Sequence, residues 1–205
     1  MAKQIEGVYE RILECAKAEF LDKGYADASL RTISAKAKTS TNSIYVRFKD
    51  KKGLFEALVG EVYECFMNQY KQAHEMFEKL PMDVQPQQMG KLSRECMDEL
   101  LDYSYEHMEE LQLILCYSDG TRYAFMIDEM VEIEVESTHK YYITLEKLGH
   151  PVPKIDERLE HILITGMMSA YFEIILHEMP YENAKLYLQE LCDFHTAGWA
   201  KIMGQ

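Results

Sequence analysis

The chain has 205 residues, 47% of them hydrophobic and 28% charged, with ten glycines and five prolines. These proportions belong to a globular protein with a core of its own and exclude a disordered tail, a collagen-like fibre and a disulfide-rich miniprotein. The net charge of −13 speaks against nucleic acid only on average: residues 1–52 hold 11 Lys and Arg against 7 Asp and Glu, whereas residues 53–205 hold 11 against 28. A small basic head on a strongly acidic body is the asymmetry expected when one end meets an anion.

Few glycines and prolines and the lack of alternating valine and isoleucine runs predict an all-α chain. The first residues carry charge early and lack the apolar stretch of a signal peptide. The most apolar segment, residues 162–176, is 15 long and contains Thr165, Gly166, Ser169 and Glu173. A membrane span needs about 20 apolar residues, so a buried helix is expected there.

In chain order, a first helix is expected from Glu6 to Lys23, its stripe formed by Ile12, Leu13, Ala16 and Phe20, ending at Gly24. Ser29 caps a short helix from Leu30 to Lys36, and Lys38 and Thr39 make a tight turn. Ser40 caps a third helix from Thr41 to Phe48, and Asp50 caps a long fourth one reaching about Lys79. Pro81 and Pro86 mark a linker. Further helices are expected at about Gln88–Tyr105, Glu109–Tyr117, Tyr123–Leu148, Asp156–His177 and Glu182–Met203, with breaks at Ser118-Asp119-Gly120 and Gly149-His150-Pro151-Val152-Pro153. The charge division suggests a head of residues 1–52 and a body of residues 53–205.

Two short helices joined by about three residues form the helix-turn-helix pattern. On a helical wheel Ile44 and Phe48 fall together and face the first two helices near Ile33 and Ala37. Opposite them lie Asn42 and Val46, flanked by Ser43 and Tyr45, with Thr41 and Arg47 on the shoulders. Amide and hydroxyl side chains on a slim outer face suit a major groove, where they reach base edges. Arg47, Lys49, Lys51 and Lys52 follow where phosphates would run, and the backbone amides opening the fourth helix add an anion site.

The full string is more specific than this pattern. Ile12-Leu13-x2-Ala16-x3-Phe20, Gly24-Tyr25, Ser29-Leu30-Arg31-x-Ile33, Ala37-x2-Ser40, Ile44-Tyr45-x-Arg47-Phe48 and Lys51-x2-Leu54-Phe55 follow one another between Ile12 and Leu58. Over this stretch the chain resembles the DNA-binding domain of the TetR-like (TetR/AcrR) family of bacterial transcriptional repressors. The resemblance implies base contacts from Thr41, Asn42 and Ser43. It implies phosphate contacts from Tyr45, Arg47 and Lys51, with Ser29 and Arg31 near the DNA backbone. Two positions depart from the family pattern. Lys38 stands where the turn usually has glycine, and is expected in a left-handed conformation. Asn42 replaces a glycine common early in the recognition helix and presents a larger side chain to the groove.

In the body, residues 158–177 are apolar all round. Leu159, Ile162, Leu163, Met167, Ala170, Tyr171 and Ile174 lie on one side; Ile164, Met168, Phe172 and Ile175 lie on another. Such a helix is central in its own bundle or gives a face to a partner chain. The resemblance favours a homodimer in which this helix and the last one pair with their mates, and Gly166 and Ala170 allow close approach. The body also carries most of the 13 methionines and 14 tyrosines. Adaptable and amphipathic side chains of this kind suit either an ordinary core or a pocket for a moderately large, mostly apolar effector. Candidate lining residues are Met97, Leu101, Tyr105, Met108, Tyr123, Met126, Met130, Tyr141 and Tyr171. Glu134, on the same stripe as Met130 and Tyr141, is a candidate inward carboxylate for a cationic ligand.

The five scattered cysteines form no CxxC pair, which suits the cytoplasm and disfavours a zinc site or a disulfide framework. The seven histidines make no HxxxH or HExxH spacing. No nucleophile elbow, glycine-rich phosphate loop or paired-carboxylate motif is present, so neither an enzyme nor a cofactor is expected. The sequence thus reads as a transcriptional regulator, most often a repressor. Its dimer would bind a palindromic double-stranded DNA operator, with a small-molecule effector in the body, no membrane partner, and the fourth helix as the lever. The rival is a helical protein-interaction module without DNA binding.

Overall fold

The structure, a computed structural model, describes residues 3–150 and 155–203. Among these the chain forms α1 (Lys3–Asp27), α2 (Leu30–Lys36), α3 (Thr41–Phe48), α4 (Lys51–Glu78), α5 (Gln85–Glu106) and α6 (Met108–Tyr117). A short 3-10 turn (Arg122–Phe125) leads into α7 (Met126–Lys147), α8 (Glu157–Leu176) and α9 (Tyr181–Ile202), with no strand among the described residues. Of the expected break at residues 149–153, Pro151, Val152 and Pro153 lie outside the described residues.

The caps follow from local chemistry. Ser29 Oγ accepts from the Thr32 amide at 3.4 Å and Ser40 Oγ from the Ser43 amide at 3.2 Å, each satisfying a donor that the helix itself leaves open. Asp50 Oδ1 takes the Gly53 amide at 2.7 Å, and Asp156 Oδ1 the Arg158 amide at 2.9 Å. Gly24, at φ 71° and ψ 168°, interrupts α1 in a conformation open in practice to glycine alone. At Gly53 a Cβ would stand 1.9 Å from the Phe48 carbonyl oxygen, so the α3–α4 turn needs a bare backbone there.

Two expectations about boundaries change. Pro86 is not in a linker: α5 begins at Gln85, and proline tolerates the first turn because the amide it lacks has no helical partner. The seventh helix opens at Met126, not Tyr123, because Thr121 caps a 3-10 turn by accepting from the Tyr123 amide. Residue 52, where the charge balance changes, lies in the first turn of α4, and the chain forms two compact units. One takes the residues up to Cys65 together with His107–Met126, and the other takes Phe66–Glu106 together with Ile127 onward.

In the first unit Ile12, Ala16 and Phe20 of α1 are fully buried together with Ile33, Ile44, Leu54 and Phe55. Phe20 meets Phe55 edge-on with ring centroids 5.0 Å apart. Helix α6 packs on α1, where Lys17 Nζ reaches Glu110 at 2.6 Å and Glu109 at 3.0 Å. In the second unit α5 and α8 both pack on α9. Phe66 lies against Phe172 at 5.9 Å, and Tyr141, Leu145 and Met203 form a cluster with Phe77, Met89 and Trp199 around it. Helix α8 alone among the described helices is long and apolar enough to cross a membrane by length and composition. It places Ile164, Met168, Phe172 and Ile175 in the core of its unit.

Candidate functional site

The first unit presents the outer face of α3. Ile44 and Phe48 are buried beneath it, and the sequence between them points the rest outward: Asn42 is exposed, Tyr45 half-exposed and Val46 74% exposed. A valine this bare on a helix with a packed opposite side is an apolar contact without a partner in the chain, and a thymine methyl is one group it can meet. Thr41 Oγ1 lies 3.1 Å from Ser34 Oγ, which anchors the start of α3 to α2. Arg47 folds back on its own helix and donates to the Ser43 hydroxyl at 2.6 Å and the Ser43 carbonyl at 3.1 Å. Both therefore sit at the shoulder of the face in defined hydrogen bonds.

Exposed cations lie on the segments next to α3 in the chain: Arg31 on α2, Lys38 in the α2–α3 turn, Lys49 in the α3–α4 link and Lys52 in the first turn of α4. Lys38 has φ 53° and Lys49 φ 70°, left-handed values that hold each at a bend in the chain. Ser29, expected near the DNA backbone, uses its hydroxyl as the α2 cap. Lys51 is placed differently from its neighbours. Its ammonium donates to the Ala26 carbonyl at 2.9 Å and the Ala28 carbonyl at 3.2 Å, and lies 4.9 Å from the centre of the Tyr25 ring. It ties the start of α4 to the α1–α2 connection.

The second unit contains a cavity between α4, α5, α7, α8 and α9, with about 1070 Å³ of empty space including its open mouth. Of the ten ligand candidates, Met97, Glu134 and Tyr141 line it. The others lie elsewhere, for identifiable reasons. Leu101 and Met130 are fully buried, and Tyr171 is consumed in the core by a 3.0 Å hydrogen bond with Ser104. Tyr105 stacks edge-on against Tyr181 and donates to the Met179 carbonyl.

Met108, Tyr123 and Met126 belong to the first unit. There Tyr123 packs on Tyr63 at 5.1 Å and Phe55 at 5.8 Å, and its hydroxyl accepts from Arg122 at 3.2 Å. Burial pushes that hydroxyl up to about 12, with the Glu56 hydrogen bond adding to the effect.

The sequence reading missed Tyr70, His74 and Phe77 on α4 and His195 and Trp199 on α9, all at the cavity. Spacings of three and four residues on both helices mark a single face, but not what that face looks onto. Tyr70 donates to Glu134 Oε2 at 2.7 Å, and His74 Nε2 lies 3.3 Å from the same oxygen. Burial alone would raise the Glu134 carboxyl; the His74 and Tyr70 contacts outweigh it and hold it below the ordinary value. Burial also lowers His195. The two cysteines at the cavity are both pushed up by burial, Cys96 to about 12 and Cys192 to about 11, so neither is a ready thiolate. Among the described residues no cluster of three or more His, Cys, Asp or Glu is arranged to hold a metal ion.

Residues 12–58 match the family described as bacterial regulatory proteins, tetR family. Over 198 residues the chain is 25% identical to the probable HTH-type transcriptional regulator YttP of Bacillus subtilis (strain 168), covering 89% of each protein. In fold it is similar to SmeT in its triclosan complex, with a TM-score of 0.59 at 18% identity over 93% of this chain and 90% of that one. It is also similar to NalD, the secondary repressor of the MexAB-OprM multidrug efflux pump in Pseudomonas aeruginosa, with a TM-score of 0.52 at 18% identity over 92% and 95%. The matched segment covers most of α1, then α2, the turn, α3 and the start of α4. These likenesses point to a DNA-binding transcriptional regulator that carries a segment of the tetR type over residues 12–58.

Proposed function

We propose that this regulator is a repressor that binds a two-fold symmetric operator as a homodimer and responds to a small molecule held in the cavity of the second unit. The observation that carries the DNA reading is the exposed face of α3, Asn42, Tyr45 and Val46, bordered by Arg31, Lys38, Lys49 and Lys52. One such face covers only a few base pairs, so affinity requires two of them on related half-sites. Thr41, Asn42 and Ser43 supply base contacts in this reading. Tyr45, Arg47 and the exposed lysines meet phosphates, and Lys51 acts by positioning α4.

The effector reading is supported by the cavity, and by two relatives in fold: SmeT is found with triclosan, and NalD is a repressor of an efflux pump. Helix α4 supplies Tyr70, His74 and Phe77 to the cavity and begins directly after α3. A ligand that favours one course of α4 therefore has a covalent route to the head, and differential affinity for two head spacings is all that allostery requires.

Selection of random DNA duplexes by the purified protein tests the reading. The expected result is enrichment of a two-fold symmetric site, bound with an affinity that falls steeply as salt rises. Absence of any enriched sequence at low salt, with a Tyr45→Ala, Arg47→Ala double variant behaving like the parent, overturns it in favour of a helical interaction module.

A further inference from the structure

The charges around the cavity, taken together with its rings, point to the class of molecule it accepts. Among the described lining residues Glu134 is the one carboxylate, and there is no lysine or arginine. The two histidines do not supply a free cation: His74 is held by Glu134, and burial favours the uncharged form of His195. The described contacts of the carboxylate both use Oε2, at 2.7 Å from the Tyr70 hydroxyl and 3.3 Å from His74 Nε2. No described hydrogen bond uses Oε1. The lining also includes the aromatic residues Tyr70, Phe77, Tyr141 and Trp199 and the thioethers Met97 and Met168. Ring faces carry negative potential and attract an organic cation, and thioethers adapt to flat apolar bodies. An anionic head would meet the Glu134 carboxylate with His74, the one nearby group that can carry positive charge, already taken up by that carboxylate through Oε2.

We propose that the cavity selects organic cations: molecules with an aromatic or otherwise apolar body and one positively charged, weakly hydrated head seated against Glu134. Glu134 is the specificity-determining residue, and Tyr70 and His74 are positioning residues that hold its carboxylate by one oxygen. This inference rests on the reading of the cavity as the effector site, and the two fail in different ways.

Trp199 lines the cavity and is the chain's single tryptophan, so its emission reports directly on occupancy. The test titrates the full-length protein with three biphenyls carrying, at the same position, a trimethylammonium, a hydroxymethyl or a sulfonate group. The trimethylammonium compound is expected to shift Trp199 emission at concentrations at least about tenfold lower than the other two, the factor a single well-placed charge contact supplies. Glu134→Gln is expected to bring all three within about threefold of one another while leaving the hydroxymethyl compound nearly unchanged. Equal or tighter binding of the sulfonate or hydroxymethyl compound by the native protein overturns the proposal, whatever the variant does, and leaves the cavity as an effector site. A charge preference that persists in Glu134→Gln overturns it as well. If none of the three perturbs Trp199, the effector reading of the cavity falls, and this inference with it.

Discussion

Lys51 and Lys52 are neighbours in sequence with different surroundings. Lys51 is bonded to the Ala26 and Ala28 carbonyls before α2, whereas Lys52 is exposed in the first turn of α4. Lys52→Ala is expected to weaken binding to all DNA sequences about equally and to lower the slope of log affinity against log salt by about 1, with no change in unfolding. Lys51→Ala is expected to cost stability too, on the order of 1 kcal/mol for the lost hydrogen bonds, seen as a lower urea midpoint. The reverse pattern would exchange their roles.

The cysteines separate in the same manner. Cys65 is exposed, while Cys96 and Cys192 are pushed up to about 12 and about 11 by burial. At pH 8 the thiolate fractions of the buried pair are roughly one in ten thousand and one in a thousand. Iodoacetamide under native conditions should therefore label Cys65 first and leave Cys96 and Cys192 unmodified, as read by mass spectrometry. Early labelling of Cys96 would contradict the burial that raises its thiol.

At the level of elements, the helix-turn-helix was legible because each boundary has a chemical cause that a sequence displays. Ser29, Ser40 and Asp50 stand where their side chains cap α2, α3 and α4, and Gly24 stands where the chain takes a glycine-only conformation. Ser40→Ala is accordingly expected to cost about 1 kcal/mol in urea unfolding and to weaken operator binding, since the same hydroxyl fixes the start of α3. Pro86 was misread because a proline in a first turn and a proline in a linker look alike until the turn is seen.

The cavity was legible only in part, for a different reason. The stripe of Met130, Glu134 and Tyr141 on α7 identifies an inward face, and the structure places Glu134 and Tyr141 at the cavity but Met130 in the core. Periodicity tells which side of a helix is covered; it does not tell which helix covers it. Tyr70, His74 and Trp199 could not be joined to Glu134 without knowing that the second half of α4 and the end of α9 share a unit. The Glu134 carboxyl, held below its ordinary value, has a consequence of its own. Its ionised form stabilises the fold above about pH 4.5, and that contribution is lost as pH falls through the lowered value. The stability gap between the native protein and Glu134→Gln should close over that acid range.

At the scale of the molecule, the apolar character of α8 exceeds what its own unit covers. Ile162 is 63% exposed, Leu159 and Leu176 are also bare, and on α9 Leu186 and Phe194 stand out, Phe194 at 75%. Gly166 on α8 and Gly198 on α9 have no atom within 4 Å of where a Cβ would be, so both helices also offer room for close approach. Isolated surface leucines need no explanation, but large apolar groups concentrated on two packed helices do. A second copy of the chain is the occupant that the proposed operator symmetry requires, because an isologous contact places the same patch on both sides of a two-fold axis.

The double variant Ile162→Glu, Phe194→Asp puts four like charges into that contact, and sedimentation equilibrium should find it monomeric while helical content is unchanged. Its heads remain intact, so single half-sites should still bind weakly, whereas affinity for the full operator should fall by a factor on the order of a hundred or more as the second head loses its effective concentration. A variant that stays dimeric would move the dimer contact away from α8 and α9. One that becomes monomeric yet binds the full operator as tightly as the parent would remove dimerisation from the mechanism altogether, since two-fold recognition has value only when both heads are held on one body.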